Sequence, residues 1–201
     1  MTTPPVPTLA EGDPLAAARP ARGHAALRIL VALPVAALGV AVLLAIDHFR
    51  HGEALLTAWS LENLLDRAAK VFPAEDVFYY QAARGAIPVW GGFTITEECS
   101  AAWFVGGVLL ATALLLAMWH RAGAGPLLVA GLVTAVLLVV VNTARMVLIT
   151  EATVHWGETG FGWAHTVGGS ILMIATLCLC AVLFARIALL PRTRRPGAEH
   201  P

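Results

Sequence analysis

The chain has 201 residues, of which 58% are hydrophobic and only 13% are charged, and its mean hydropathy is +0.75. Soluble domains are about 45–50% apolar and ~25% charged, so this composition indicates a small membrane protein with a single helical bundle. Basic and acidic residues are equal at 13 each, and the three cysteines form no CxxC pair, so we expect no nucleic-acid partner, disulfide framework or zinc site.

The two ends of the chain are predicted to be tails. Residues 1–25 are rich in proline, glycine and alanine and contain nothing that could bury a core, which predicts a disordered cytoplasmic tail. This segment does not have the pattern of a cleavable signal peptide, because its apolar run begins too late. Residues 191–201 form a second, basic cytoplasmic tail.

Four apolar segments are each long enough to cross a bilayer, which takes about 20 residues. They are residues 27–46, 101–119, 126–149 and 164–190. The predicted fold is therefore an all-α polytopic membrane protein whose membrane domain occupies residues 26–190. Its four-helix bundle lies in a bacterial plasma membrane, as the alanine- and arginine-rich composition suggests.

The distribution of charge predicts the orientation of these segments. Basic residues accumulate in the cytoplasmic pieces of a membrane protein. With both termini in the cytoplasm, the cytoplasmic pieces carry eight basic and three acidic residues, and the outer pieces carry four basic and ten acidic residues. The opposite orientation would reverse the rule, so we predict that both termini are cytoplasmic.

The first outer segment, residues 47–98, is too long to be a simple connection. From Glu53 to Phe72 the apolar residues recur at helical spacing, and Pro73 would end the helix. This pattern predicts an amphipathic helix that lies on the outer membrane surface or caps the bundle. Aromatic and β-branched runs separated by glycines follow, and they predict a small β-hairpin or meander that leads to Cys99.

Three residues with chemical potential fall at the outer membrane level in this topology. Cys99 precedes the second span, His165 begins the fourth, and Arg145 lies about 6 Å below the outer end of the third. A cysteine in a membrane helix is usually a packing residue, and Cys178 and Cys180 fit that reading. Cys99 does not, because it lies between acidic residues and Ser100.

The neighbours of these residues decide between a functional and a structural reading. An arginine within an apolar run usually faces the bundle interior, and Asn142 lies on the same helical face. The acidic neighbours of Cys99 disfavour a thiolate, so a reactive Cys99 needs a cation such as Arg145 beside it. His155 competes with His165, which is favoured by the small residues Gly168 and Gly169 one turn later.

These residue types together are typical of a cysteine peptidase or transpeptidase. The thiolate attacks a carbonyl, the histidine acts as base and then protonates the leaving amine, and the arginine stabilises the thiolate or the oxyanion. Glu97 and Glu98 oppose a thiolate, so they are assigned either to holding Arg145 or to meeting the substrate. No metal or organic cofactor is needed.

The ordered set of motifs resembles the exosortase/archaeosortase family. The family pattern is Cys-Ser-Gly, then Asn-x-x-Arg, then His-x-x-x-Gly, each at an outer membrane edge. Here these are Cys99-Ser100, with Ala101 replacing the glycine, then residues 142–145, then residues 165–169. The resemblance covers roughly residues 75–185, and many members have more spans than the four predicted for this chain.

The resemblance implies a membrane cysteine transpeptidase and a substrate of defined form. The catalytic residues would be Cys99, Arg145 and His165, with supporting roles for Glu98, Ser100, Asn142 and Gly169. The substrate would be a membrane-anchored protein whose C-terminal sorting signal consists of a short motif, a transmembrane helix and an arginine cluster. The enzyme would cut this signal outside the membrane and transfer the acyl group to a surface acceptor.

Two other functions are compatible with parts of the sequence. A non-enzymatic assembly or scaffold subunit is suggested by the small size and by small-residue helix faces such as Ala102 and Gly106. A haem- or metal-binding subunit is the weaker alternative, because the predicted spans contain no second histidine facing His165.

Overall fold

The computed structural model describes residues 14–72, 77–83, 88–119 and 122–189. In chain order, the helices and strands are α1 (Pro14–Leu44), α2 (Ile46–Leu65), β1 (Ala69–Val71), β2 (Val77–Ala83), β3 (Val89–Thr94), a 3-10 helix (Glu97–Cys99), α3 (Ala102–Met118), α4 (Ala124–Gly162), a π-helical segment (Trp163–Gly168) and α5 (Gly169–Leu189). The described chain is therefore mostly helical, with one small sheet.

Within these residues, two helical stretches are long and apolar enough to cross a membrane. One is Ala26–Leu44, and the other is the continuous stretch Ala124–Ala188 of 65 residues. The second is about three times the length that one crossing needs. Helix α3 is also apolar but shorter, at 17 residues.

The long apolar stretch folds back on itself at Gly157. This glycine has φ 60° and ψ −146°, a conformation that glycine adopts without the steric cost of a side chain. Arg145 packs against Gly169, and Leu127 shares a hydrophobic cluster with Ala188. In both pairs the two residues lie about equally far from Gly157 along the chain, one before it and one after it. Helices α4 and α5 therefore form an antiparallel hairpin, and the predicted outer loop over 150–163 is instead helical on both sides of this turn.

Helices α1 and α3 form a second antiparallel pair. Gly39 of α1 and Gly106 of α3 face each other, and a Cβ at Gly106 would come within 2.6 Å of Leu43. At the other end, Arg28 donates hydrogen bonds to three backbone carbonyls in and just after the last turn of α3, those of Leu116, Trp119 and Ala122, over 2.7–2.9 Å. The small-residue face of α3 is therefore occupied by α1 of the same chain.

Helix α2 begins and ends earlier than the sequence pattern predicts. The predicted helix over Glu53–Phe72 is Ile46–Leu65 in the structure, because Asp66 adopts the left-handed conformation and stops it. Aspartate tolerates this conformation better than most residues with a side chain. The apolar residues of the predicted stripe are divided in the structure: Leu61 lies on the buried face of α2 together with Glu53 and Thr57, whereas Leu64 is 69% exposed.

The predicted β-structure is a three-stranded antiparallel meander in the order β1-β2-β3. Its first strand comes from the end of the segment that was expected to be helical. Phe78 and Tyr80 of β2 are buried against α2 and against Met146 and Ile149 of α4. The sheet thus packs on the C-terminal half of α4, which carries Arg145.

A charged clasp ties the sheet to α4. Arg67 donates to both carboxylate oxygens of Glu151, over 2.6 and 2.8 Å, and to the backbone carbonyl of Gln81 at 2.8 Å. Paired hydrogen bonds between guanidinium and carboxylate fix orientation as well as distance. The segment that precedes Cys99 is therefore held in place relative to α4.

The predicted tails fall largely outside the described residues. Residues 1–13 and 190–201 are not described. Helix α1 begins at Pro14, so the second half of the segment 1–25, predicted to be disordered, belongs to a helix instead. The first predicted span, 27–46, ends slightly earlier, since the chain leaves helical geometry at Ala45.

Candidate functional site

Cys99 lies in a short turn between the sheet and α3. It is the last residue of the 3-10 helix Glu97–Cys99, and its backbone N–H donates to the Thr96 carbonyl at 3.0 Å. Its thiol is free and half-buried, at the edge of the hydrophobic cluster beneath the sheet. The thiol is thus neither a packed core group nor fully solvated.

The residue after Cys99 is anchored by a buried carboxylate that the sequence analysis did not select. Ser100 is buried and donates its hydroxyl proton to Glu53 Oε2 at 2.6 Å, while its Oγ accepts from the Ala102 N–H at 3.1 Å. Glu53 Oε1 accepts from the Ala101 N–H at 3.0 Å. Ser100 therefore accepts a hydrogen bond from the first N–H of α3 and joins this helix to α2.

Asn142 connects this turn to α4. Its side-chain nitrogen donates to Glu53 Oε1 at 2.7 Å and to the Cys99 backbone carbonyl at 3.0 Å. Its side-chain oxygen accepts from Arg145 Nη1 at 3.5 Å. An amide side chain has donors on its nitrogen and an acceptor on its oxygen, so Asn142 contacts both the Glu53 carboxylate and the Arg145 guanidinium.

Arg145 is buried, with 9% of its surface exposed, and its hydrogen bonding is incomplete. Within the described residues, its Nε–H has no hydrogen-bond partner, and its bond to Asn142 is long. Gly169 packs directly against it, since a Cβ there would lie 2.5 Å from Nε. A buried guanidinium with unfilled donors is costly unless an anion completes it.

His165 lies in the π-helical segment, one helical turn before Gly169. π-helical turns are rare and often occur at functional sites. Its ring stacks on Phe161 with centroids 5.1 Å apart and planes 7° apart, and Phe161 in turn stacks on Phe93 of β3. The sheet therefore orients the imidazole through a column of aromatic rings.

The structure brings most of the predicted site residues into one network. Hydrogen bonds and close packing join the Cys99 turn, Ser100, Asn142, Arg145 and Gly169, and His165 belongs to the same helical turn as Gly169. In the described part of the chain, neither the Cys99 thiol nor the His165 ring has a hydrogen bond. Such bonds are often absent before substrate binds and form in the loaded enzyme.

The two acidic neighbours of Cys99 do not hold Arg145. Glu97 and Glu98 are both exposed, and neither has an ion pair with Arg145 in the described residues. Hydrogen bonds from its own backbone N–H and from the Thr96 side chain lower the pKa of Glu98. The described residues therefore give that alternative no support, and contact with a substrate remains the prediction for these acids.

The other candidate residues lie elsewhere. His155 is exposed and contacts the Glu151 carbonyl at 2.8 Å, and Cys178 is exposed on α5. Cys180 is buried in a hydrophobic cluster, as predicted for a packing residue. No group of three or more His, Cys, Asp or Glu side chains among the described residues is placed to hold a metal ion.

Glu53 and Phe161 are the two site residues that sequence reasoning missed. Glu53, Thr57 and Ser60 recur at helical spacing on one face of α2, and all three are buried. A polar stripe of this kind could have identified the face that points inward. Phe161 offers no comparable signal, because its contact with His165 depends on the turn at Gly157.

Comparison with known families gives one match. The family described as transmembrane exosortase matches residues 15–182, which is most of the chain and includes every motif of the site. Comparisons with curated proteins and with solved structures give no match. The apolar helices and the family match together identify a membrane protein, and the family that the motifs predicted is confirmed: the chain belongs to the transmembrane exosortases.

Proposed function

We propose that this protein is a membrane cysteine protease or transpeptidase. It cleaves the C-terminal sorting signal of a membrane-anchored protein at the extracytoplasmic membrane surface and transfers the product to a surface acceptor. One observation carries the proposal: Asn142 joins the Cys99 turn to Arg145, a buried cation whose Nε–H has no partner among the described residues. Through Asn142, the turn that carries a free thiol is connected to a cation with an unfilled donor, and a nucleophile and an oxyanion-stabilising cation are the groups that acyl transfer uses.

The proposed reaction proceeds through an acyl-enzyme. His165 accepts the thiol proton as Cys99 Sγ attacks the scissile carbonyl carbon, and Arg145 stabilises the negative charge that develops on the carbonyl oxygen. The C–N bond then breaks, and the histidine gives its proton to the leaving amine. An acceptor nucleophile or water attacks the resulting thioester and releases the Cys99 thiol.

The proposed topology has four spans, with both termini in the cytoplasm. It is supported by the antiparallel pairing of α1 with α3 and of α4 with α5, and by the charge distribution of the connecting segments. Arg28 and the Cys99 site lie toward opposite ends of α3. In this topology Cys99, Arg145 and His165 face the outside of a bacterial plasma membrane.

Substitution of Cys99 tests the proposal. The enzyme is expressed with a membrane-anchored reporter that ends in a short motif, an apolar helix and an arginine cluster, and processing is followed by gel mobility. Cys99→Ala should abolish processing, while Cys178→Ser, which removes an exposed thiol on α5, should leave it unchanged. Normal processing by Cys99→Ala would refute the enzymatic role.

The same experiment addresses the alternative of a non-enzymatic assembly subunit. That function was suggested by small-residue helix faces, but Gly106 packs against Leu43 and Gly39 of the same chain. An assembly subunit would keep its function in Cys99→Ala and lose it when Gly106 is enlarged. Loss of processing in Cys99→Ala, at a normal protein level in the membrane, separates the two functions.

A further inference from the structure

We infer that Glu53 is a positioning residue for the Cys99 nucleophile. Its carboxylate holds the turn that follows Cys99 against α4, so that the thiol and Arg145 keep a fixed relation. This inference rests on the proposed function, and it assigns a role to an acidic residue of α2, 46 positions upstream of the cysteine. The resemblance to the exosortase motifs does not include this position.

The first argument is the number and origin of the hydrogen bonds that Glu53 accepts. It is 3% exposed and accepts three hydrogen bonds, from the Ser100 hydroxyl, the Ala101 N–H and the Asn142 amide, over 2.6–3.0 Å. Two of these donors directly follow Cys99, and the third belongs to α4. One carboxylate therefore fixes the nucleophile turn to the helix that carries Arg145.

The second argument is that Asn142 keeps this carboxylate from neutralising Arg145. Glu53 lies in the field of the arginine, but Asn142 intervenes and contacts both groups. All three hydrogen bonds of Glu53 go to other donors, so the guanidinium retains donors for an anion formed in the reaction. A direct ion pair between the two would occupy those donors instead.

The third argument is that a buried carboxylate is not an efficient way to stabilise the fold. Burial raises the pKa of Glu53, although its hydrogen bonds oppose the shift. A whole buried charged network can often be replaced by apolar residues of similar size without loss of stability, so such a network is weak evidence for a stabilising role. A buried carboxylate at this position is therefore better explained by the geometry that it imposes on the Cys99 turn.

The test compares three substitutions of Glu53. Glu53→Gln keeps the length of the side chain and one acceptor oxygen but removes the charge. Glu53→Asp keeps the charge but shortens the reach by one methylene, and Glu53→Ala removes every hydrogen bond. The matched control is Glu62→Gln, since Glu62 is exposed on the same helix.

Three quantities are measured on full-length protein in membranes, together with its thermal unfolding. These are the rate of Cys99 labelling by a membrane-impermeant maleimide, and the kcat and the KM of reporter processing. A positional error near 1 Å costs on the order of 100-fold in rate, so we expect Glu53→Ala to lower kcat by about 100-fold with KM unchanged. We expect Glu53→Gln to retain more activity than Glu53→Asp, and Glu62→Gln to match the wild type.

Several outcomes would overturn the inference. A folded Glu53→Ala with wild-type kcat would do so, as would Glu53→Asp equal to or better than Glu53→Gln. If Glu53→Ala does not fold, the inference is tested by comparing the activity of Glu53→Gln with that of Glu53→Asp. Cys99→Ala is run in parallel: if it still processes the reporter, the proposed function fails, whereas loss in Cys99→Ala with full activity in the Glu53 variants overturns the positioning role alone.

Discussion

Replacement of Gly169 by alanine tests the close contact between α5 and Arg145. The new Cβ would lie 2.5 Å from Arg145 Nε and 3.2 Å from the Ala164 carbonyl oxygen. Since non-bonded heavy atoms pack at about 3.5 Å or more, the guanidinium must retreat by about 1 Å. A displacement of that size near a reacting centre costs on the order of 100-fold in rate, and we expect that loss in kcat/KM.

The adjacent Gly168 provides a control with the same chemistry. A Cβ there would come no closer than 3.7 Å to its nearest neighbour, the Trp163 carbonyl oxygen. Alanine in a helix is favoured over glycine by about 0.5–1 kcal/mol, so Gly168→Ala should not unfold more readily than the wild type, whereas the close contact at Gly169 offsets that gain in Gly169→Ala. Reporter processing by both variants at equal protein level is the assay, and equal activities of Gly169→Ala and Gly168→Ala would refute the reasoning.

Three further predictions follow from individual contacts. Phe161→Leu removes the ring stacked on His165 and should lower processing about 2- to 10-fold, because such a stack contributes roughly 0.5–1.5 kcal/mol. Arg67→Ala should lower the free energy of unfolding by about 1.5–3 kcal/mol in a detergent melt, because charged hydrogen bonds to Glu151 are lost. Burial raises the pKa of Glu53, so this carboxyl binds its proton more tightly in the folded protein than in the unfolded chain. The free energy of unfolding of the wild type, compared with that of Glu53→Gln, should therefore decrease as the pH rises from the ordinary carboxylate pKa through the raised pKa of Glu53.

Each of these predictions has a control or a contrary result. Phe72→Leu removes an exposed aromatic contact on the sheet and should leave processing unchanged. Asp47→Ala breaks an exposed ion pair with Arg50 and should change stability by less than about 1 kcal/mol. A larger loss in the Asp47 variant than in Arg67→Ala would contradict the role of the clasp. If the difference in stability between the wild type and Glu53→Gln does not change with pH, the prediction from the raised pKa of Glu53 is contradicted.

The prediction of the helices from sequence succeeded where local composition decides the structure. The apolar runs 101–119 and 126–149 correspond to α3 and to the first part of α4, and the aromatic runs before Cys99 form β2 and β3. These elements are set by hydrophobic periodicity and by local backbone preference. The end of α2 was mistaken because Asp66, rather than Pro73, stops the helix.

The site was predictable in its motif residues but not in the contacts that connect them. Cys99 was selected for its acidic and polar neighbours, Asn142 and Arg145 for polar side chains on one face of an apolar run, and Gly169 for its small size near His165. The structure joins these four residues. Glu53 was not selected, because an acidic residue at the start of an amphipathic helix has the local appearance of a solvated one. Its burial results from packing against residues 47 to 89 positions away.

The sequence by itself therefore determined the membrane character, the family and the residues of the proposed chemistry, because composition, periodicity and short motifs are local properties. The tertiary structure decided which charges meet. It turned Glu97 and Glu98 outward, buried Glu53 behind Ser100, and placed Gly169 against Arg145. These outcomes depend on the hairpin at Gly157 and on the docking of α2 and the sheet against α4, and neither arrangement is fixed by any local stretch of the chain.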